Sequence, residues 1–241
     1  MLAAKALPRW RAGDPRYIRG MPDLTRALDF LRELRDHNTA EWFQANRSTY
    51  EAARADFVAF VRAVHAGLTE ADPLLRATDP AKALFRINRD VRFSTNKAPY
   101  KRNFSAALAP AGRKDPGPVY YLHLEPDGQS GYGGGIWLPE SADLKRIRQE
   151  IDFSPEPLRA VLRAPEFQRW FGAALLPDGA LKRIPAGYPP DHPDADLLRL
   201  KSFTAWHPVT DTAAGSISDA VASLTALVPL QAWLRTAVTA G

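Results

Sequence analysis

VYYLHLEPDGQSGYGGGIWL, residues 119 to 138, decides how this chain folds. From Val119 to Glu125, Tyr120, Leu122 and Leu124 share one parity while Tyr121, His123 and Glu125 share the other. That is the period-two pattern of a strand with one buried face. Pro126-Asp127-Gly128 is turn chemistry, and Tyr132 to Leu138 is a second β-prone run, so the stretch predicts a β-hairpin. Gly133, Gly134 and Gly135 would weaken the second strand. They imply a bulge, or close approach of a ligand or of another backbone.

Working outward, the segment beginning at Leu84 also has period two. Phe85, Ile87, Val91 and Phe93 share one parity and Arg86, Asn88, Asp90 and Arg92 the other, which reads as a strand, interrupted or continuous. A short strand over Asn103 to Leu108 would bring the sheet to four. Upstream, Leu24, Ala27, Leu28, Leu31 and Leu34 recur at three and four residues behind Asp23 as a cap, and Asn38 with Glu41 resembles a capping pair opening a long helical region to Leu68. Downstream, helices are expected from Ser141 to Ile151, after Pro157, at Pro165 to Phe171, behind Asp194 to about Lys201, and from Ala213 to Val238 with a break at Pro229. The expected fold is therefore α+β: a single domain over residues 21 to 241 with N-terminal helices, a central antiparallel or mixed sheet of about four or more strands, and C-terminal helices.

Composition removes several alternatives. The chain has no Cys, which excludes disulfide scaffolds, thiolate metal sites and cysteine nucleophiles. At 45% hydrophobic and 24% charged it can bury a core and is not a disordered chain. No run approaches the roughly 18 consecutive apolar residues of a membrane span, so no membrane association and a cytoplasmic location are expected.

The net charge of +5 is concentrated. Arg86, Arg89, Arg92, Lys97, Lys101 and Arg102 stand against Asp90 alone, and Lys5, Arg9, Arg11, Arg16 and Arg19 against Asp14. The remainder of the chain is net acidic. Residues 1 to 20 lack hydrophobic periodicity and read as a flexible basic arm or a misassigned start. The second cluster is embedded in strand-like sequence, where guanidinium and amide groups suit planar recognition of an anion; a solvated outer sheet face is the competing reading. Arg89 has the apolar parity and needs a partner, for which Asp90, Glu125 or a bound anion would serve. Ser94 to Arg102, with Tyr100 and Lys101, forms a polar loop that favours phosphate, sulfate or carboxylate, although the glycines of a phosphate-binding loop are missing. His123 and Glu125 at i and i+2 are either acid and base groups or a satisfied hydrogen-bonded pair. Asp191, His192, Asp194 and Asp196 read as loop structure, so no metal is expected, nor any cofactor.

FRINRDVRFSTNKAPYKRNF, from Phe85 to Phe104, and YYLHLEPDGQSGYGGGIWLP, from Tyr120 to Pro139, resemble the family catalogued as domain of unknown function 2461. HNTAEWFQANRSTYE, from His37 to Glu51, and LKRIPAGYPPDHPDADLLRLKSF, from Leu181 to Phe203, are similar to its outer blocks. The resemblance implies that these blocks form one domain. It also implies that Trp42, Arg86, Asn88, Arg89, Asp90, Arg92, Lys97, Tyr100, Lys101, His123 and Lys201 stand at motif positions, and it carries no reaction.

The resulting expectation is a basic pocket for a small anionic or phosphate-bearing ligand, catalytic or not. Arg86, Asn88, Arg89, Arg92, Lys97, Tyr100, Lys101 and Lys201 would hold the ligand and Asp90, His123 and Glu125 would handle protons. Two alternatives stand beside it: a nucleic-acid-binding module using the same basic segment, and a structural or interaction protein whose arginines form an ion-pair lattice. The sequence says nothing of oligomeric state.

Overall fold

A computed structural model describes residues 23–239; the basic arm expected at residues 1 to 20 lies outside them. The chain opens with α1 (Thr25–Asp36), α2 (Ala40–Ala45) and α3 (Arg47–Ala71). The apolar stripe of α1 is buried as its spacing requires, with Ala27, Leu28, Phe30, Leu31 and Leu34 facing inward. The Asn38–Glu41 cap is not the one used. Thr39 caps α2 by accepting from the Trp42 N–H at 3.2 Å, while the Asn38 amide spans 62 residues to both backbone groups of Tyr100. An Asn side chain can replace a strand neighbour, and this one ties the helices to the basic segment.

The sheet has four strands, β1 (Phe104–Leu108), β2 (Val119–Leu124), β3 (Ser130–Ile136) and β4 (Phe203–Val209), in that spatial order and antiparallel throughout. The hairpin folds as its turn residues dictate, with Asp127 and Gly128 at φ 64° and 73° and their N–H groups donating to the Asp211 carboxylate at 3.0 and 2.8 Å. The fourth strand corrects the sequence reading. It comes from residues 203–209, where alternation is diluted by Thr204, Ala205 and Pro208, and a proline is tolerated because β4 lies at an edge.

The segment from Leu84 to Phe93 does not form a strand. It makes two isolated bridges, Leu84 to Ala106 and Asn88 to Tyr100. Residues 83–85 line the free edge of β1, then residues 87–89 pair with 99–101 through Arg89 N–H to Pro99 and Lys101 N–H to Ile87. Phe93, at the tip, is 96% exposed. Alternation was present but nothing packs on its apolar side beyond Ile87.

Between β3 and β4 come α4 (Ser141–Phe153), α5 (Glu156–Arg163), α6 (Pro165–Phe171) and α7 (Ala195–Leu198). The last is shorter than expected, and the Asp194 carboxylate does not cap it but accepts from Arg159 at 2.9 Å. The chain ends with α8 (Ile217–Ala226) and α9 (Val228–Thr239), broken at Leu227 and bent by 42°. Among the described residues no single helix is long and apolar enough to cross a membrane, and this pair buries its apolar residues against the sheet and α3.

Helices α3, α8 and α9 cover one face of the sheet. Phe104, Ala106, Leu108, Tyr120, Leu122, Leu124 and Tyr132 point into that core and are at most 4% exposed. The result is a single α+β domain: a helix-backed antiparallel sheet with one face left open.

Candidate functional site on the open face of the sheet

Strand parity delivers the other side chains to the open face. Register pairs Ser105 with His123 and Ala107 with Tyr121, Tyr121 with Gly133, and Gly133 with Trp206. The glycines are explained by this face and its opposite. The Trp206 indole lies across Gly131 and Gly133, where an added Cβ would stand 2.2 and 2.9 Å from ring carbons. At Gly134 a Cβ would meet Gln231 and Leu227 of the covering helices at 2.8 and 3.1 Å, and Gly135, at φ +119°, comes against the Phe203 carbonyl. Close approach at these glycines is by an indole, side chains of the covering helices and their junction, and a backbone carbonyl, and Gly134 and Gly135 also line the cavity described next.

Beside Trp206 lies a cavity of about 820 Å³, within the size range of small-molecule sites. Ala107, Val119, Tyr121, Thr204 and Trp206 contribute to its floor, and Phe85, Arg113 and the Trp137–Glu140 turn to its walls. Trp137 is 60% exposed at the rim. The turn that presents it is strained at Leu138, φ 46°, whose N–H donates to the buried Ser202 hydroxyl at 3.0 Å. A branched residue held in that region costs about 1–3 kcal/mol, a cost that recurs at functional sites.

Two cations flank Phe85 at one edge, and the exposed Arg86 follows it in the chain. The Phe85 ring has the Lys101 ammonium 5.4 Å from its centroid and the Arg113 guanidinium 5.5 Å away, and Arg113 also donates to the Leu84 carbonyl. The Lys101 pKa is lowered, chiefly by burial and then by the positive charges of Arg86 and Arg113. None of these three pairs with a carboxylate among the described residues. Like charges held together without counterions are an arrangement that an anion would relieve.

Along β2 from the cavity runs a polar chain. The Tyr121 hydroxyl lies 3.2 Å from His123 Nδ1, and His123 Nε2 lies 3.0 Å from Glu125 Oε2. The Asn103 amide nitrogen is 3.0 Å from Nδ1, and the Arg102 guanidinium reaches Glu125 at 3.8 Å. Burial lowers the His123 pKa, opposed by Glu125. In a neutral ring with its proton on Nε2 facing Glu125, the one lone pair of Nδ1 is shared between the Asn103 amide and the Tyr121 hydroxyl, and a proton can pass from Tyr121 along this chain.

Other candidates lie elsewhere. Arg89 donates to the Ala98 carbonyl at 2.9 Å and to the Ser94 hydroxyl at 3.2 Å, so its protein partners are loop groups and neither Asp90 nor Glu125. Lys97 donates to the Val91 carbonyl at 3.1 Å. Arg92 and Asp90 pair with each other at 2.6 Å in the open; Arg92, with help from the nearby Arg86, holds the Asp90 carboxyl below its usual range. Asn88 bridges by its backbone and is exposed. Tyr100 is 6% exposed and stacks on Phe43 at 4.1 Å, inside the core. Lys201 is exposed ahead of β4 and lines no part of the cavity. His192 contacts Asp152 and Asp196 contacts Arg159.

Sequence reasoning missed Arg113, Trp137, Trp206 and Asn103. Arg113 sits in AGRKDPGP, whose glycines and prolines signal only a loop. The tryptophans carried no pattern separating rim from core.

The architecture and this face define an α+β domain with a ligand-sized cavity. The chain belongs to a family described as a conserved hypothetical protein family, domain of unknown function 2461, whose model matches residues 26–233. No curated protein and no solved structure matches the chain.

Proposed function

We propose that the protein binds a small phosphate-bearing or otherwise anionic molecule on the open face of the sheet. Its anion lies against Arg86, Lys101 and Arg113 and its body enters the cavity between Phe85, Tyr121 and Trp206. The observation that carries this reading is the placement of two cations without carboxylate partners, Lys101 and Arg113, against Phe85 at the edge of a cavity of about 820 Å³. Charge-assisted hydrogen bonds of this kind are the strong ones. The adjoining chain extends the reading to proton chemistry. Tyr121 faces the cavity, so it takes a ligand proton while passing its own to His123 Nδ1, and Glu125 balances the imidazolium that forms. We place this activity in the cytoplasm, where phosphorylated metabolites are abundant.

Titration with inorganic phosphate, phosphorylated sugars and nucleotides should raise the melting temperature for at least one of them. In the double variant Lys101→Met, Arg113→Gln that rise should vanish while the unliganded melting temperature stays within a few degrees. A flat response of the native protein across the panel overturns the proposal. So does a binder that the double variant retains. Tight binding of single-stranded nucleic acid that weakens steeply between about 50 and 200 mM salt would favour the nucleic-acid alternative instead.

A further inference from the structure

We propose that the occupant of this cavity is dipolar, with an anionic group at one end and an amino-bearing group at the other; the inference rests on the ligand site just described. The cavity lies across the sheet; cations stand at one end, where Asp115 also lines the wall, and only carboxylates stand among the charged groups of the other. On the β1–β2 side stand Phe85 and Arg113, the latter in the connection between those strands, with Lys101 beyond the ring. On the β3–β4 side stand Glu140, in the turn after β3, and Asp178. The Leu176–Asp178 loop is pinned to β4 by the Leu176 N–H donating to the Thr204 carbonyl at 2.8 Å.

Glu140 and Asp178 are exposed to the cavity mouth, and neither pairs with a cation among the described residues. Asp115, the third carboxylate of the wall, differs. It is spent on its own loop, accepting from the Ala111 and Gly117 N–H groups at 2.8 Å each. The two uncommitted carboxylates would repel a ligand that is anionic throughout, and they would attract an ammonium or amino donor. Strands repeat at about 4.8 Å, so the two charged ends are separated by two to three spacings, roughly 10–14 Å. Between them the floor and rim are apolar and aromatic, formed by Val119, Tyr121, Trp137 and Trp206. A flat body fits there, since π faces favour stacked or edge-on rings. The chemistry that meets all three requirements is a nucleoside monophosphate whose base carries an exocyclic amine: phosphate toward Arg113, base over the aromatic floor, amine toward Glu140 and Asp178.

The test compares adenosine and inosine monophosphates, whose bases differ at C6, amino against oxo, and at N1, acceptor against N–H donor, with inorganic phosphate as reference, by calorimetry on the native protein and on Glu140→Gln, Asp178→Asn. Both carboxylates are exposed, so the double variant keeps its fold, which its melting temperature verifies. Adenosine monophosphate should bind the native protein about tenfold more tightly than inosine monophosphate, the effect of one well-placed charge-assisted contact. The double variant should reduce that preference to within twofold by weakening the adenosine compound alone. Equal affinities in the native protein, or a preference that survives in the double variant, overturn the dipolar assignment and leave the anion site standing. Absence of binding by both nucleotides and by phosphate removes the anion site itself.

Discussion

Tyr120 and Tyr121 are neighbours on one strand and live in different solvents. Tyr120 points to the helices, is fully buried, and donates to the Asp72 carboxylate at 2.8 Å; Arg235 of α9 donates to the same oxygen at 2.8 Å. Burial, then the Asp72 charge, holds the Tyr120 phenol well above its usual range. Tyr132, on the adjacent strand and facing the same layer, is likewise satisfied by the Ala214 carbonyl at 2.6 Å. Tyr121 points the other way, is half-buried, and shares its hydroxyl with a histidine at the edge of a cavity. On the covered face Tyr120, Asp72 and Tyr132 are hydrogen-bonded within the fold, and the Arg235 guanidinium meets a carboxylate. On the open face Lys101 and Arg113 meet no carboxylate among the described residues, and Arg113 donates only to a backbone carbonyl. The covered face carries the packed core, and the open face carries the cations on which the proposed ligand site rests.

That contrast can be broken first from the covered side. Asp72→Ala leaves the buried Tyr120 hydroxyl and the partly buried Arg235 guanidinium without their common acceptor and should lower stability by about 2–3 kcal/mol, the cost of leaving a buried donor and a charged one unpaired. Tyr120→Phe, which keeps the packing and loses one hydrogen bond, should cost only about 1 kcal/mol. Denaturant unfolding measures both, and equal losses would mean that the Asp72 charge is not what the network depends on.

A smaller effect is expected from filling the open side of the sheet. In Gly133→Val the new Cβ would stand 2.3 Å from the Ala205 carbonyl and 2.9 Å from the Trp206 ring. Overpacking of this kind costs about 1–3 kcal/mol, and it should lift the indole from its seat. Tryptophan fluorescence and melting read the two consequences, and an unchanged spectrum with unchanged stability would contradict the Trp206 packing described above.

The smallest effect is electrostatic. Burial depresses the His123 pKa and Glu125 opposes that depression. Because the folded value lies below the unfolded value of about 6.5, the group's contribution to stability is complete above that pH. It is lost progressively as pH falls from there toward the folded value, since the unfolded chain takes up the proton first. Glu125→Gln removes the opposing influence, so the His123 midpoint should fall further and the acid-side loss should extend to lower pH. Titration of the His123 ring by nuclear magnetic resonance decides it. An unchanged midpoint would mean the His123–Glu125 contact is absent in solution.

How far the sequence could be read differs between the same regions. Period-two alternation bounded by Pro126-Asp127-Gly128 located β2 and β3 to within about two residues, because strong turn chemistry and a one-sided face agree there. The same alternation over Phe85 to Phe93 was read as a strand and is instead a bridged excursion with an exposed tip. Period alone does not say whether a neighbour exists to bury the apolar parity. The density of cations from Arg86 to Arg102 pointed toward charge but not to its allocation. Arg89 and Lys97 hold their own loop, Arg92 holds Asp90, and of the ligand candidates in that run the cation group around Phe85 takes only Arg86 and Lys101.

By itself, then, the sequence determined the α+β class, the hairpin, the amphipathic opening helix and the family, all of which rest on local periodicity, turn residues and ordered motifs. Only the tertiary structure decided that β4 closes the sheet, that Trp206 occupies the glycines, and that Arg113 joins Lys101 across Phe85 beside a cavity. Those facts depend on which distant segments meet, and a contact between residues far apart in the chain leaves no periodic trace in either partner.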